Sequence, residues 1–356
     1  MRILFITSDL TYHGIAKQLT LLAAGLPRER FERRVCVLGD AGPWAERLRN
    51  ADVVVDVLGW RRKVELPAFS RLWHALRAYQ ADVVHVWGQS ALRALALASG
   101  LRGGRLIVTA PFRTGRPRAL LAWWDRRLLG RAGNITVSGP SEAGKWQQQG
   151  LDSVPLTIVP PGVEIGPAPV SAVESSTLPP RTILCIGRLE RHKGFRDAIW
   201  VLDMIRFLHP DVQLAIVGSG PDRQAIAEFA RAAHVADRVQ FLGERTDVLG
   251  LLSQAELVWA PCRAESGANA VLEAMAVGKP VVASEFPGLA EIVVQGETGF
   301  LVPSSDQAAL ARQTRILLDD AELRRRMGEA ARRRATERFG AAQMVRRFAE
   351  LYESAK

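Results

Sequence analysis

Short apolar runs alternate with helical patterns along both halves of the chain. In the first half the runs are RILFITS, RRVCVLG, ADVVVDVLG, ADVVHVWG, GRLIVTA and NITVSG, and a turn residue or a helical pattern follows each of them. Continuous apolar runs of this length are typical of strands buried on both faces. Strands that alternate with helices predict a parallel sheet covered on both sides. The first half is therefore predicted to be a doubly wound α/β domain.

The stretch GPAPVSAVESSTLPP, residues 166–180, interrupts this alternation. It contains four prolines and has neither the period of a strand nor that of a helix, which predicts an interdomain linker. Beyond it the alternation resumes with RTILCIGRL, VQLAIVGSG, RVQFLG, AELVWAPC and KPVVAS. We therefore predict two doubly wound α/β domains, 1–165 and 181–338. Because ligands of open parallel sheets bind beyond the carboxyl ends of the strands, the cleft between the domains is the expected site.

The last residues, 339–356, are predicted to form a separate helix. The sequence FGAAQMVRRFAELYESAK spaces its apolar residues at helical intervals, so the helix has one apolar face. The residues expected to be buried on that face are Phe339, Met344, Phe348 and Tyr352.

The formal net charge of +10 comes entirely from the first half of the chain. Residues 1–165 contain 23 Lys and Arg against 13 Asp and Glu, whereas residues 166–356 contain 24 of each class. Seven of the nine tryptophans also lie in the first half. This asymmetry indicates that the two halves have different partners.

Three further features favour a cytoplasmic protein. Cys36, Cys185 and Cys262 lie far apart and have no metal-ligand spacing, so we expect reduced and buried thiols. No apolar run approaches the ~20 residues that span a bilayer. The opening residues, MRILFITSDL, have too short an apolar core for a signal peptide and are interpreted as a buried first strand.

The stretch RAESGANAVLEAMAVGKPVVAS combines the features of an anion-binding helix start. Glu265 follows a predicted strand, and the small or polar residues 266–269 then begin a helix. The first N–H groups of a helix have no partner within it, and small side chains let an anionic ligand approach them. Glu273 lies about one turn further and can also face the ligand. The simpler interpretation is an acidic first turn that complements the helix dipole.

A second polar cluster lies in IGRLERHKGF. Gly187 and Arg188 follow a predicted strand, and Lys193 precedes the next helix. Two cations at the end of a strand suit a diphosphate, although such a loop can also be an ordinary solvated surface. The glycine turns VGSGP, which contains Gly218, and PPGVE occupy comparable positions.

Together these stretches resemble the retaining glycosyltransferase family 4, whose members have the GT-B fold. The resemblance covers nearly the whole chain and is strongest from Arg181 to Pro303. The blocks ILCIGRLERHKG, LAIVGSGP, VQFLGE, APCRAESGANAVLEAMAVGKPVVAS, PGLAEIV and GETGFLV follow the order and spacing of the family. Glu265 and Glu273 match its E-x7-E pattern. The implied fold is two Rossmann-like domains facing across a cleft, with the C-terminal helix packed back on the first domain.

The resemblance also implies roles for these residues. The two cations and the helix N-terminus would hold the diphosphate of a nucleotide-sugar donor. The first glutamate would contact the transferred sugar, the second would bind the ribose hydroxyls, and Gly14 would let the first helix approach the donor. The implied catalytic residues are Glu265, Arg188 and Lys193. The implied donor-binding residues are Gly14, Gly187, Gly218, Gly267, Ala268, Asn269 and Glu273.

The implied reaction agrees with the chemistry of these side chains. Breaking the anomeric C–O bond develops positive charge on the sugar and negative charge on the diphosphate, and fixed cations with a helix N-terminus stabilise the latter. A carboxylate near the sugar tolerates oxocarbenium character. The expected enzyme is a retaining hexosyltransferase that uses a UDP- or GDP-linked donor. No metal or other cofactor is expected, since the chain contains no Asp-x-Asp.

The acceptor side departs from the family pattern. Many relatives have a histidine where this chain has Pro111, and the usual double glycine is reduced to one glycine in TYHG. His13, His85 and Arg113 are the acceptor-side candidates, although His85 also suits a structural role. The proline leaves open a second class, a protein that binds nucleotide-sugars without transferring the sugar. The E-x7-E pattern disfavours a third class, a nucleotide-sugar epimerase of the same fold.

The stretch from Phe112 to Gly133 is strongly basic and aromatic. It contains six arginines and one aspartate, interleaved with leucines and the pair Trp123 and Trp124. Such a helix suits an anionic membrane surface, and it also suits packing against the core with solvated arginines. We therefore expect a lipid-linked, polysaccharide or other glycan acceptor, and a peripheral position on the inner face of the cytoplasmic membrane is compatible with it. Nucleic acid is disfavoured because no recognised nucleic-acid module is present.

Overall fold

The computed structural model divides the chain into two compact units. One consists of Met1–Gly162 together with Ala341–Lys356, and the other of Val163–Gly340. Most of the predicted linker, 167–177, lies outside the described residues, so the linker stays a prediction. The described residues are 1–60, 66–99, 105–109, 125–148, 154–166, 178–264 and 267–354.

The first unit is built on a seven-stranded sheet in which every pair of neighbouring strands is parallel. Its strands are β1 (Arg2–Thr7), β2 (Glu32–Val37), β3 (Val54–Val57), β4 (Val83–Trp87), β5 (Arg105–Thr109), β6 (Asn134–Val137) and β7 (Leu156–Ile158). They lie in the order β3-β2-β1-β4-β5-β6-β7. The helices between them are α1 (Gly14–Gly25), α2 (Trp44–Asn50), α3 (Leu66–Tyr79), α4 (Gln89–Ser99) and α5 (Pro140–Gln147).

The central strand β1 explains why its sequence is a continuous apolar run. Ile3 and Phe5 pack into one hydrophobic cluster, and Leu4 and Ile6 pack into another. Successive side chains of a strand point to opposite faces, so a strand covered on both faces requires apolar residues at every position. The run in the sequence thus follows directly from the two layers of helices.

The second unit repeats this architecture with a six-stranded parallel sheet. Its strands are β8 (Thr182–Ile186), β9 (Gln213–Val217), β10 (Val239–Gly243), β11 (Leu257–Ala260), β12 (Val281–Ser284) and β13 (Gly299–Val302), in the order β10-β9-β8-β11-β12-β13. Its helices are α6 (Phe195–Ile205), α7 (Arg223–Ala232), α8 (Val248–Gln254), α9 (Ala268–Ala276), α10 (Pro287–Ala290), α11 (Gln307–Asp319) and α12 (Ala321–Phe339). Two 3₁₀ helices cover Arg191–Lys193 and Ala236–Arg238.

Both units therefore have the doubly wound parallel topology that the alternation predicted. The strand order reverses between β1 and β4 in the first sheet, and between β8 and β11 in the second. At such a reversal the loops leaving the two central strands diverge to opposite faces of the sheet, and the opening between them is where such sheets bind ligands. Eleven of the thirteen strands in the described part of the chain coincide with predicted apolar runs. The other two, β7 and β13, are edge strands of three and four residues and were not predicted.

The predicted C-terminal helix begins at Ala341 rather than at residue 339. Helix α12 ends at Phe339, and the chain turns at Gly340 before α13 (Ala341–Ser354) begins. The residues predicted to be buried are indeed buried, but Phe339 packs in the second unit while the other three pack in the first. Helix α13 contacts α1, so the C-terminal helix packs on the first unit as expected.

A buried polar contact joins α13 to the first sheet. His85, on β4, is fully buried, and its Nδ1 lies 2.6 Å from the hydroxyl of Tyr352. Its Nε2 lies 2.8 Å from Oγ1 of Thr109 on β5. Burial lowers the pKa of His85 to about 3, because a charged imidazolium would lose its hydration there. The imidazole is therefore neutral and engaged at both nitrogens.

This burial makes the stability of the first unit sensitive to acid. The ordinary pKa of 6.5 applies to the unfolded chain, so between about pH 6.5 and pH 3 the unfolded chain binds a proton at His85 that the folded chain does not. Stability is full above that window and falls as the pH is lowered through it, by up to ~1.4 kcal/mol per pH unit. We expect urea titrations to show a steeper decline between pH 6.5 and pH 4 in the wild type than in His85→Gln. Parallel declines in the two proteins would contradict this account.

Candidate functional site

Glycine turns follow the central strands of the second unit at their carboxyl ends. Gly187 follows β8 with φ +154°, and Gly218 follows β9 with φ +131°. A Cβ atom on Gly218 would lie 2.1 Å from the carbonyl oxygen of Gly187, so the two turns approach each other by backbone alone. The N–H of Gly187 donates to the carbonyl of Val217. Glycine at 218 is therefore what allows the loop after β8 to lie against the loop after β9.

The predicted cations lie on the loop that follows Gly187. A Cβ atom on Gly187 would lie 3.6 Å from Cδ and Cε of Lys193 and 3.9 Å from its Nζ, so this side chain runs beside the turn that carries Arg188. Lys193 ends the 3₁₀ helix, and Gly194 then turns with φ +73° into α6. Both cations thus belong to one short loop at the carboxyl edge of the sheet, where the sequence placed them.

Glu190 pairs with two other residues of this loop. Its Oε1 lies 2.5 Å from Nε of Arg188, and its Oε2 lies 3.3 Å from Nδ1 of His192. Burial lowers the pKa of His192, and the charge of Lys193 lowers it further, whereas Glu190 acts in the opposite direction. The Arg188 side chain is 59% exposed, so its guanidinium remains accessible to an anionic ligand from solvent.

Helix α9 begins beyond the carboxyl end of β11 in the way that the sequence indicated. Gly267 caps it in the left-handed conformation, with φ +92° and ψ −5°, where other residues are strained. A Cβ atom there would lie 3.3 Å from Sγ of Cys262, which is buried. Ala268 and Asn269 form the first turn, whose N–H groups point out of the helix. Glu273 lies in the second turn and is only 6% exposed.

The loops after β8 and β11 touch each other through their backbones. The N–H of Arg263 donates to the carbonyl of His192 at 2.7 Å. A Cβ atom on Gly194 would lie 1.7 Å from the carbonyl oxygen of Pro261, so only glycine fits at that position. The loop with the two cations and the loop that leads to α9 are therefore adjacent at the same sheet edge.

In the first unit, His13 caps helix α1. Its Nδ1 accepts the N–H of Ala16 at 3.2 Å, so the ring proton is on Nε2, which donates to Oδ1 of Asp9 at 2.8 Å. Burial would raise the pKa of Asp9, but hydrogen bonds from His13 and Thr11 outweigh it and hold that pKa well below its ordinary value. Gly14 is the first residue of α1. His13 therefore has a capping role that the sequence did not reveal.

Of the acceptor-side candidates, His85 is fully buried, whereas His13 is partly exposed. His85 lies inside the core of the first unit, with both nitrogens engaged, so the structure places it away from any surface that an acceptor could contact. This corrects its interpretation as a residue that reaches a binding site. Arg113, Pro111 and the tryptophan pair of the basic stretch lie outside the described residues, as do Glu265 and Ser266.

An aromatic and cationic cluster that the sequence analysis missed lies near His13. The ring of Tyr12 packs edge-on against Trp44 at the start of α2, with ring centroids 6.4 Å apart. Nζ of Lys17 and Cζ of Arg47 each lie 5.8 Å from the centre of the Trp44 ring. The concentration of tryptophan and arginine in the first half was the signal for such a cluster, but it did not say which residues meet.

The described residues offer neither a cluster of metal ligands nor a helix that could span a membrane. Across the described ranges, no three His, Cys, Asp or Glu side chains are grouped so that they could hold a metal ion. In the same part of the chain, every helix is too short or too polar to cross a membrane. All three cysteines are free and buried, as expected.

Two family models match the chain in succession. The model described as Glycosyltransferase Family 4 matches residues 12–166, and the model described as Glycosyl transferases group 1 matches residues 171–334. A phosphatidyl-myo-inositol mannosyltransferase of Mycobacterium leprae is 31% identical over 287 residues, which cover 77% of this chain and 73% of that protein. A glycogen synthase of Mycobacterium tuberculosis is 34% identical over 203 residues, 56% of this chain and 49% of that protein. The chain thus spans about half the length of the glycogen synthase.

A solved structure with the same fold is that of Alr3699/HepE from Anabaena, crystallised in complex with UDP-glucose. The two chains superpose with a TM-score of 0.87 at 22% identity, over 99% of this chain and 100% of that one. The similarity confirms the predicted GT-B fold.

The close approach at Gly218 predicts a large cost for adding a methyl group there. Gly218→Ala combines a positive φ with a clash against the carbonyl of Gly187. The control, Gly296→Ala, also has a positive φ, +75°, but its added Cβ would meet nothing within 4 Å. The control is expected to lose about 1–2 kcal/mol of unfolding free energy from strain alone. Gly218→Ala is expected to lose about 1–3 kcal/mol more. Equal losses in urea titrations would show that the two turns do not meet as described.

Proposed function

The chain belongs to glycosyltransferase family 4, and from that premise we propose that it transfers a sugar from a nucleotide-diphosphate-sugar to an acceptor. The second unit binds the donor, and the first unit binds the acceptor. One observation carries the proposal. Arg188, Lys193 and the N-terminus of α9 lie on two loops that touch at the carboxyl edge of a doubly wound sheet. Such an edge is where this topology binds nucleotides.

These groups suit the diphosphate of the donor. The guanidinium and the ammonium supply two positive charges, and the helix start supplies N–H donors and the positive end of the helix dipole. Negative charge grows on the diphosphate as the anomeric C–O bond breaks, so groups that are already in place stabilise the transition state more than the ground state. The arrangement therefore favours bond cleavage as well as binding.

The two glutamates of the E-x7-E pattern serve the sugars on either side of the diphosphate. Glu273 accepts hydrogen bonds from the ribose hydroxyls, and Glu265 contacts the transferred sugar, where a carboxylate stabilises oxocarbenium character. The transferred sugar is a hexose, and its anomeric configuration is retained. The donor base is uracil or guanine. The HepE structure contains UDP-glucose, which supports a UDP-linked donor for a chain of the same fold.

The acceptor is a lipid-linked molecule or a glycan. Relatives named as a phosphatidyl-myo-inositol mannosyltransferase and a glycogen synthase represent these two classes. The ring of Trp44, with Lys17 and Arg47 beside it, suits a sugar that carries or adjoins an anionic group. The basic sequence from 112 to 124 adds an affinity for an anionic membrane surface, whereas Leu128 and Leu129, further along the same stretch, are buried in the core of the first unit.

The reaction is tested by incubating the protein with UDP- and GDP-hexoses and two acceptors. The acceptors are vesicles that contain phosphatidylinositol and a short glucan. We expect the protein to use one of these donors and one of these acceptors, so that UDP or GDP is released as the sugar appears on the acceptor. NMR of the product is expected to show the same anomeric configuration as the donor. Inversion would contradict the retaining mechanism. Tight donor binding without transfer or hydrolysis would instead support the class that binds nucleotide-sugars without turnover.

Two substitutions are expected to reduce transfer while the protein stays folded. Arg188→Ala removes a cation from the leaving group, and Glu265→Gln removes the charge beside the sugar, so each is expected to lower kcat by about 10²–10³-fold. The matched control is Arg191→Ala, which removes an exposed arginine from the same loop and is expected to change kcat less than about threefold. Near-normal kcat in both site variants, at unchanged melting temperature, would refute the assignment.

A further inference from the structure

Two loops of the second unit carry the groups that would contact the diphosphate. We call residues 187–194, after β8, loop A, and residues 261–264, after β11, loop B. Loop A contains Arg188 and Lys193, and loop B leads into Glu265 and the N-terminus of α9. A diphosphate bound by both loops requires them to keep a fixed spacing, because a displacement of about 1 Å at a reacting centre costs orders of magnitude in rate.

A buried carboxylate lies beneath both loops. Asp197, in the first turn of α6, is 2% exposed. Its Oδ2 accepts from Nε of Arg263 at 2.7 Å, and its Oδ1 accepts from Nη2 of the same guanidinium at 2.6 Å. Nε2 of Gln307, at the start of α11, also donates to Oδ1 at 2.7 Å. The N–H of Asp197 donates to the carbonyl of Gly194 in loop A. Asp197 is therefore bonded to loop A through its backbone and to loop B through its side chain.

Arg263 completes this connection. Its N–H donates to the carbonyl of His192 at 2.7 Å, so the residue is fixed to loop A by its backbone and to α6 by its side chain. The hydrogen bonds to Asp197 raise the pKa of Arg263 against the effect of burial, so the guanidinium stays charged. On the other side of loop B, Oγ of Ser304 donates to the carbonyl of Cys262 at 3.1 Å. Two residues after Arg263 comes Glu265.

The geometry of the ion pair between Asp197 and Arg263 suits a role in positioning the two loops better than a role in stabilising the fold. Two parallel hydrogen bonds fix both the distance and the plane of the guanidinium, which a single contact would leave free. The same unit contains a second ion pair, between Arg324 and Glu256, at the amino ends of the strands. The two side chains are 2.6 Å apart and are 19% and 25% exposed. Glu256 immediately precedes β11, so this pair lies at the amino end of the strand whose carboxyl end leads into loop B.

We propose that Asp197 is a positioning residue that, through Arg263, holds loops A and B at the spacing that a nucleoside diphosphate requires. The proposal rests on the proposed function and extends it to a residue that does not touch the donor. If Asp197 held only the fold together, its loss would lower stability without changing how the protein distinguishes a diphosphate from an uncharged nucleoside. If it sets the spacing of the loops, its loss weakens diphosphate binding selectively.

The connection between the loops is tested first without any ligand. Arg263→Met keeps the length of the side-chain stem and removes the fork, and hydrogen exchange then reports on loop A. We expect the amides of Lys193 and Gly194, which are hydrogen-bonded within loop A, to exchange at least about tenfold faster than in the wild type. The reason is that the charged hydrogen bonds from loop B to Asp197, which is itself bonded to loop A, are lost. The amides of β9 serve as the internal control and are expected to be unchanged. Unaltered exchange in loop A would refute the connection, whatever the protein binds.

The effect on binding is tested with UDP, GDP, uridine and guanosine by calorimetry. Asp197→Asn keeps the shape of the side chain, and we expect it to raise the Kd of the nucleoside diphosphate at least about tenfold while changing that of the nucleoside less than about twofold. Arg263→Lys keeps the charge without the fork and is expected to give an intermediate Kd. The control Glu256→Gln removes the ion pair at the amino ends of the strands and is expected to change neither Kd.

The outcomes separate the two proposals. Equal losses of diphosphate affinity in Asp197→Asn and Glu256→Gln, or equal losses for diphosphate and nucleoside, would overturn the positioning role and leave the proposed function intact. A wild type that binds neither UDP nor GDP would overturn the proposed function and, with it, the role of Asp197 in diphosphate binding. The hydrogen-exchange result would then still decide whether the two loops are joined.

Discussion

The close approach of backbones at the carboxyl edge of the second sheet is the constraint on which the candidate site depends. Gly218 lies against the carbonyl of Gly187, and Gly194 lies against the carbonyl of Pro261, at distances that no Cβ atom could occupy. Neighbouring parallel strands are ~4.8 Å apart, and side chains at these turns would force the loops above them to diverge. Because these positions are glycine, the loops after β8, β9 and β11 can lie as close together as the strands themselves. The two cations and the start of α9 are consequently neighbours.

The two units share a topology, but their sheet edges differ in chemistry. In the second unit the edge carries a cationic loop and a helix that begins with small residues. In the first unit the equivalent position after β1 is occupied by Asp9 and His13, which are bonded to each other and to the start of α1. A carboxylate there opposes an anionic ligand. This difference supports assigning the donor to the second unit and the acceptor to the first.

Much of the architecture could be predicted from the sequence because it depends on local pattern. The apolar runs identify the buried strands, and the glycines and cations lie within ten residues of one another in IGRLERHKGF. The remaining features depend on contacts between distant residues. Asp197 and Arg263 are 66 positions apart, and His85 and Tyr352 are 267 apart, so no local pattern indicates that they meet. Strand β7 has only three residues and β13 begins at a glycine, so neither forms a distinct apolar run. The turn at Gly340 lies within an otherwise helical pattern.

The most direct test of the central claim is a crystal structure of the protein with UDP or GDP bound. The account predicts that the diphosphate lies within hydrogen-bonding distance of Arg188, Lys193 and the N–H groups at the start of α9, with the ribose beside Glu273. A nucleotide bound at the carboxyl edge of the first sheet, or one whose diphosphate contacts neither loop of the second unit, would contradict it.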